Sequence, residues 1–425
     1  MSSRPRSRWL ANTLLVLAGS LVLFGALWAI LASRWSNALD QERESWSTRG
    51  WPTTRAELFP PIDSQDDAAP IYRVAVGKLY SWHKGKEREE AIDQAWLAIR
   101  AVWLHPAEWT EEQERALDVL DAPEFQDAVA ALRVAVRKQH YGLVDPLSPS
   151  GPDYTPGGLL ENGDLLPLEC MRKLRRGDRA GAWDLLESLL ALSTHLRETP
   201  VLFALSVSDD YAQRALSVLQ NLVESDQIEP ARIEALLKWI GRIQPDHDLI
   251  RALDVERILF AGPAWDALRA GATPMNVWTP TDPTGILYSK VLLPWRLLDE
   301  GKYWELQGQR RAWLCAHPWD PEPSPKVSAV FPITRCMQGQ SRIETPTNAR
   351  RGRDLAEIAL RVVQFRSTTG SYPPTLDALG TIPNEPRSQR LYSFSRVGAG
   401  FALGLPDGVS EGKPSGWPMH WSTVR

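Results

Sequence analysis

The chain has 425 residues and is nearly balanced in charge, with 48 lysines and arginines against 52 aspartates and glutamates and a formal net charge of −4. This balance argues against a nucleic-acid-binding protein, because phosphate contacts need clustered positive charge. Three cysteines, Cys170, Cys315 and Cys336, are too few and too scattered for a disulfide framework or a zinc site.

An uncharged stretch runs from Trp9 to Ala32. As a helix rising about 1.5 Å per residue, it is long enough to cross a hydrocarbon core of about 30 Å. A cleaved signal peptide has a shorter apolar core, and Ile30-Leu31-Ala32 is a poor cleavage site. A buried core helix would usually show a polar face, which this stretch lacks. The sequence therefore predicts an uncleaved transmembrane helix over residues 9–33.

Charged and aromatic residues flank this helix on both sides, as expected where a helix leaves a bilayer: Arg4, Arg6, Arg8, Trp9, Arg34 and Trp35. Positive flanks favour the cytoplasm, and beyond Arg34 acids such as Asp40 and Glu42 dilute the positive charge. We therefore expect a cytoplasmic tail over residues 1–8 and a single pass through a bacterial inner membrane. The body is then periplasmic, and the bilayer is its partner through residues 9–33.

The rest of the chain divides by composition into three parts. A polar helical stalk and an extended Pro-containing linker are predicted over 34–61. An α-helical body follows over 62–345, with a loop or seam near 142–158 and a looser Pro-rich part over 262–346. A C-terminal module is expected over 346–425.

Helical patterns dominate the body. A helix starting near Asp66 is expected to bury Ile71, Val74, Leu79 and Tyr80. A further helix is expected to open at Thr110, where the sequence has a capping pattern. Asp121 is expected to open a helix, and five helices with short turns fill Leu159–Phe260. Short turns imply antiparallel neighbours, as in an up-and-down bundle or a helical-repeat stack. Two further helices are predicted around Leu287–Leu298 and Tyr303–Cys315.

The C-terminal module combines an amphipathic helix over 350–366, a helix end at Gly370 and a small hairpin formed by Leu391–Arg396 and Phe401–Leu403. The fold class is therefore mainly α, with a small α/β module at the end. Nineteen tryptophans accompany the helical patterns. We expect them to fill gaps between packed helices, and an aromatic carbohydrate platform is the alternative.

The series Gly370-Ser371-Tyr372-Pro373, a short Leu376…Leu379 helix and the hairpin resembles a group of uncharacterised bacterial membrane-anchored proteins. It is more distantly similar to the tails of type II secretion pseudopilins. Asp67–Tyr72 and Glu256-Arg257 also resemble positions of the uncharacterised group. The segment around Arg8-Trp9 lacks the cleavable junction and glutamate of a pseudopilin. The resemblance implies an architecture and no defined activity.

Motifs of known chemistry are missing. There is no G-x-S-x-G elbow and no phosphate-binding loop. In Pro245–Asp248 we expect Asp246 to be a helix N-cap rather than a metal ligand, and His195 to be a hydrogen-bonded core residue. The basic run Arg172–Arg176 is typical of a solvated helix end, and the adjacent Asp209 and Asp210 point apart. Cys315 and Cys336 either pair or are both buried thiols.

The sequence therefore predicts no catalytic, cofactor-binding or metal-binding residue and no cofactor. We expect a non-catalytic binding or scaffolding protein of the cell envelope, with a protein partner that the sequence does not identify. Two alternatives stay open: a hydrolase acting on a cell-wall polymer, with a tryptophan-lined cleft, and an accessory of a type II secretion or pilus-like system.

Overall fold

The computed structural model describes residues 5–59, 61–83, 86–142, 158, 164–198, 202–225, 228–270, 293–320, 346–410 and 417–423. These residues are mainly helical and end in a small three-stranded antiparallel sheet, which confirms the predicted fold class. Most of the predicted loop 142–158 and most of the Pro-rich part 262–346 lie outside the described residues, as does Cys336.

The described helices follow one another along the chain as α1 Pro5–Thr48, α2 Arg55–Leu58, α3 Ala69–His83, α4 Lys86–Ile99, α5 Glu111–Ala116, α6 Pro123–Ala135, α7 Leu165–Arg175, α8 Arg179–Glu198, α9 Leu202–Glu224, α10 Pro230–Gly241, α11 Pro245–Val255, α12 Gly262–Ala270, α13 Leu293–Ala316 and α14 Thr347–Thr369. Short 3₁₀ turns cover Pro106–Glu108, Leu117–Asp121 and Leu376–Leu379, and a π-helical turn covers Glu256–Ala261. The strands are β1 Ser393–Val397, β2 Gly400–Gly404 and β3 His420–Ser422.

The chain forms two compact units. Among the described residues, unit 1 contains 5–58 and 254–316, and unit 2 contains 59–253, 317–320 and 346–423. Unit 1 is small and is built on the packing of α1 against α13. Its apolar core is correspondingly short, and several of its members are aromatic: Leu39, Trp46, Ala261, Trp265, Leu268, Leu297, Tyr303 and Trp304.

Unit 2 is organised around α8. Nearly every residue from Gly181 to Arg197 is buried, and α6, α7, α9 and α10 pack against this helix. A helix that is buried on all sides needs apolar residues around its whole circumference, and the leucine-rich sequence of α8 supplies them. Gly177, with φ +78°, makes the break between α7 and α8.

The C-terminal module belongs to unit 2. Helix α14 packs on α9 and α10 and ends, as predicted, at Gly370, whose left-handed backbone (φ +78°) lets its N–H donate to the Arg366 carbonyl at 2.8 Å. The predicted hairpin is β1 with β2, paired from Ser393 with Gly404 to Val397 with Gly400. Strand β3, which the sequence analysis missed, pairs with β2.

Several local predictions hold while others were wrong. The capping box at Thr110 is present, and α1 continues through the predicted stalk without a break. The predicted apolar face of α3 is confirmed at Leu79 and wrong at Val74 and Tyr80, which are more than half exposed. With Leu79, the buried face of that helix is formed by Tyr72, Ala75 and Trp82, on the side that packs against α6.

Two predicted boundaries also differ. Asp121 ends a 3₁₀ turn, and α6 begins at Pro123. The helices expected around Leu287–Leu298 and Tyr303–Cys315 are one helix, α13, from Leu293 onward. The residues between the two expected helices include Asp299 and Glu300, which are buried and continue the helix.

Candidate functional site

From Leu14 to Leu23, α1 has no protein packed over it within the described residues. Its large apolar side chains are exposed, from 54% at Leu17 to 72% at Val22 and Leu23. Among the described helices this is the one that is long and apolar enough to cross a membrane. A contiguous exposed apolar surface of this kind marks a contact with a membrane or with another protein.

The end of this apolar run is marked by two of the predicted flanking residues. Arg34 is exposed, and its guanidinium lies 5.8 Å from the ring centre of Trp35. Arg6, Arg8 and Trp9 lie in the first turns of α1, but only their backbone belongs to the described structure. Arg4 lies outside the described residues.

Beyond Trp35, α1 changes surroundings and packs against α13. The Arg43 guanidinium donates to the Glu300 carboxylate at 3.2 Å, and the Trp46 and Trp304 rings meet edge to face at 5.8 Å. Gly308 permits this close approach, since a Cβ there would lie 3.3 Å from the Glu42 carboxylate. The predicted stalk is thus a packed helix rather than a bare spacer.

An ionic and aromatic cluster joins this pair of helices to the end of α11 and the π-helical turn. The Asp254 carboxylate accepts hydrogen bonds from Arg257 at 3.1 Å and from Arg311 at 3.0 Å. The two guanidiniums also lie over indole rings, Arg257 4.0 Å from the centre of Trp46 and Arg311 4.4 Å from the centre of Trp51. Burial lowers the pKa of Arg257 to about 10, with Asp254 opposing the shift, so the side chain still carries its charge at neutral pH.

An open apolar cleft lies where α13 begins beside α1, within unit 1. Its volume is about 270 Å³, and the side chains lining it are Phe24, Leu27, Trp28, Leu31 and Trp35 of α1 with Pro294, Trp295 and Leu298 of α13. None of these described lining side chains is charged. These two segments are separated by more than 250 residues, so no local sequence pattern could associate them.

Unit 2 contains a second polar arrangement, around His195. As predicted, His195 is a hydrogen-bonded core residue: its Nδ1 lies 2.7 Å from the Tyr72 hydroxyl and its Nε2 3.2 Å from the Lys138 carbonyl oxygen. A carbonyl can only accept, so Nε2 carries the proton and Nδ1 accepts from Tyr72. Burial, and secondarily the charge of Arg242, lowers the pKa of His195 to about 4.

The buried Arg197 is the partner of two acids named above from the sequence, Asp209 and Asp248. Arg197 donates to Asp248 at 2.7 Å and also pairs with Asp209, while Asp210 pairs with Arg214 at 2.9 Å. Asp209 and Asp210 therefore point apart, as predicted. The prediction that Asp246 caps α11 was wrong, because the helix already begins at Pro245 and Asp246 lies in its first turn.

The basic run Arg172–Arg176 is only in part a solvated helix end. Arg172 is buried, donating to Glu169 at 2.7 Å, to the Leu117 carbonyl at 3.0 Å and to Asp121 at 2.5 Å. Lysines and arginines are seldom buried without such partners. Sequence reasoning missed this role because the carboxylate of Asp121 comes from a turn 51 residues away.

Within the described ranges there is no group of three or more His, Cys, Asp or Glu side chains placed to hold a metal ion. Cys170 is buried and Cys315 is exposed, so the alternative that Cys315 and Cys336 are both buried thiols is wrong at Cys315, and their pairing stays a prediction. Trp183 and Trp265 are buried between helices, as the packing interpretation of the tryptophans requires.

Comparison with known proteins identifies no relative: no family profile, curated protein or solved structure matches this chain.

The Asp254 cluster generates a prediction about stability. Asp254→Asn removes the negative charge between two guanidiniums that lie against indole rings, and breaking a buried ion pair costs about 3–5 kcal/mol. We expect the near-ultraviolet circular dichroism of the tryptophans to be lost at a markedly lower temperature than in the wild-type chain in detergent. Glu305→Gln, in the exposed Lys302–Glu305 pair on α13, is the matched control and should cost at most about 1 kcal/mol. Equal effects of the two substitutions would contradict the assignment.

The buried His195 generates a prediction about pH. In the unfolded chain its pKa is near 6.5, so the unfolded state binds the proton first as the pH falls and the folded state is destabilised between pH 6.5 and about 4. His195→Gln removes this pH-dependent destabilisation. The free energy of unfolding should therefore fall by about 2–3 kcal/mol less between pH 7 and pH 4.5 in the variant than in the wild-type chain.

The free energy of unfolding is measured by urea unfolding at the two pH values, with hydrogen exchange in peptides of α8 as the readout. His105→Gln, at an exposed position, is the control and should keep the wild-type difference. An unchanged difference in the His195 variant would show that the imidazole does not titrate as the geometry requires.

Proposed function

We propose that this protein is anchored by α1 in a bacterial inner membrane, with its body in the periplasm, and that it acts by binding or scaffolding rather than by catalysis. The observation that carries the anchor is the exposed apolar half of α1 followed by a half that is firmly packed. In water that exposed surface would cost about 25 cal/mol per Å². The arginines near the N-terminus support the orientation, with the tail in the cytoplasm.

The buried carboxylates support a non-catalytic role. Burial raises the pKa values of Asp210, Asp248 and Asp354, which would suit general acids, yet each is paired with arginine. They also lie on three different helices, α9, α11 and α14. Acids that are dispersed and neutralised in this way stabilise packing, whereas a glycan hydrolase needs two carboxyl groups facing one bond.

The terminal sheet supports a binding role. Strand β1 is an edge strand of the described sheet, and Ser393, Ser395, Arg396 and Val397 are exposed along it. Strand β3, at the other edge, is held against α9, where the Glu224 carboxylate accepts from the Ser422 N–H at 3.3 Å. An exposed edge strand is a ready surface for an extended segment of a partner protein.

The anchor and its orientation are tested in cells. A reporter active only in the periplasm, fused after Arg425, should be active, and a cytoplasm-only reporter at the same position should be inactive. The double variant L17R/L21R places two charges in the apolar run at about 2.5–3.5 kcal/mol each and should lose membrane retention and periplasmic signal. Asn37→Arg, exposed in the polar half of α1, is the control and should keep both. Activity of the cytoplasmic reporter would overturn the orientation.

The binding role is tested by site-specific photocrosslinking in living cells. A photoreactive amino acid at Ser395 on β1 should give a discrete product with another protein, because the strand offers its edge to a partner. The same amino acid at Ala180, exposed at the start of α8, is the control and should give none. If Ser393, Ser395 and Val397 all give no product, the edge strand does not bind a partner.

A further inference from the structure

At the start of α13, large apolar side chains are exposed while charged side chains are buried. Trp295 is 45% exposed and Leu298 is partly exposed, whereas Arg296, Asp299 and Glu300 on the same two turns are buried together with Leu297. A helix end facing water normally shows the opposite pattern, with charges outside and apolar residues inside. Apolar residues outside and charges inside are expected where the surroundings are hydrocarbon.

The contacts of α13 place this segment beside the end of the apolar run. Along the two helices, contacts progress in the same direction, from Arg43 with Glu300 to Trp46 with Trp304. The residues before Glu300 therefore lie beside the part of α1 that precedes Arg43, and Pro294, Trp295 and Leu298 share a cleft with Phe24–Trp35. That is the level at which Arg34 and Trp35 mark the end of the uncharged stretch.

The cleft continues the exposed apolar surface of α1 without a polar interruption, because Phe24 and Leu27 belong to both. Whatever covers the apolar run of α1 therefore extends into the cleft. Three indoles, of Trp28, Trp35 and Trp295, lie around it, and indoles are enriched where hydrocarbon meets the headgroups of a bilayer. These observations favour lipid chains over a protein segment as the occupant.

We propose that the start of α13 is a second membrane contact: Pro294, Trp295 and Leu298 enter the interfacial layer of the leaflet on the side of the body, and lipid acyl chains fill the cleft against α1. This proposal deepens the proposed function and rests on the anchoring role of α1. The helix pair meets the bilayer at two points, which restricts the tilt and rotation of unit 1 at the membrane surface. The buried charges of α13 are then shielded from lipid by the same residues that contact it.

The test uses spin labels on the full chain, with Cys170, Cys315 and Cys336 replaced by alanine, in vesicles of phosphatidylethanolamine and phosphatidylglycerol. Single cysteines are introduced by Trp295→Cys and Leu298→Cys in the cleft, Leu21→Cys in the apolar run and Glu305→Cys on the exposed side of α13. Collisions of each label with oxygen, which concentrates in hydrocarbon, are compared with collisions with a water-soluble nickel complex. The Leu21 label reports on anchoring alone, and the Glu305 label is the matched water-exposed control.

The proposal predicts an oxygen-to-nickel collision ratio at positions 295 and 298 at least about threefold above that at 305, with the ratio at 21 higher still. Ratios at 295 and 298 equal to that at 305, with 21 in hydrocarbon, would overturn the second contact and leave the anchor in place. Labels at 295 and 298 shielded from both reagents would show a protein occupant and would also overturn it. A water-exposed label at 21 would overturn the anchor and this proposal together.

Discussion

Helix α1 is one unbroken helix that has to satisfy two different surroundings, and unit 1 depends on how it does so. From Leu14 to Leu27 its side chains are exposed and uncharged, and beyond Leu39 it packs against α13. The first half can be stable only where its hydrocarbon is removed from water. The second half is fixed by guanidiniums and indoles. Because a helix is continuous, the orientation of each half determines that of the other.

Buried ion pairs hold the parts of each unit in place. In unit 1, Asp254 lies between Arg257 and Arg311, and the guanidiniums lie on Trp46 and Trp51. Such pairs add little net stability compared with apolar packing, but they strongly penalise any arrangement that separates them. A small core with few aliphatic residues gains from this specificity, since displaced neighbours would leave a buried charge without its partner.

Buried ion pairs also fix the packing of unit 2. Arg197 with Asp248, and Arg351 with the buried Glu385 at 2.7 Å, join segments that are 51 and 34 residues apart in the chain. Tyr392 donates to Asp354 at 3.2 Å and so connects the segment before β1 to α14. Burial raises the pKa values of Asp248, Asp354 and Tyr392, and each of these groups has a counter-charge or a hydrogen-bond partner beside it. A shifted pKa by itself therefore does not identify a catalytic group.

Local signals explain what could be predicted from the sequence. The unbroken α1, the capping box at Thr110, the end of α14 at Gly370 and the hairpin each depend on residues within a few positions of one another. The errors concern properties decided at long range. The buried face of α3 is chosen by α6, the burial of Arg172 depends on Asp121, and β3 was missed because a three-residue strand has no periodicity to detect.

The start of α13 shows why the candidate site could not be predicted from the sequence. Periodicity shows that Trp295 and Leu298 lie on one side of a helix and Arg296 and Glu300 on another, but not which side faces the protein. The usual assumption buries the apolar side and exposes the acids, and here it is wrong. Only the contact of Glu300 with Arg43 reveals the inversion, because it assigns the acidic side to the interior. Once that side is inside, the tryptophan has to face outward, and an outward indole beside an uncharged helix is best matched by the boundary of a bilayer.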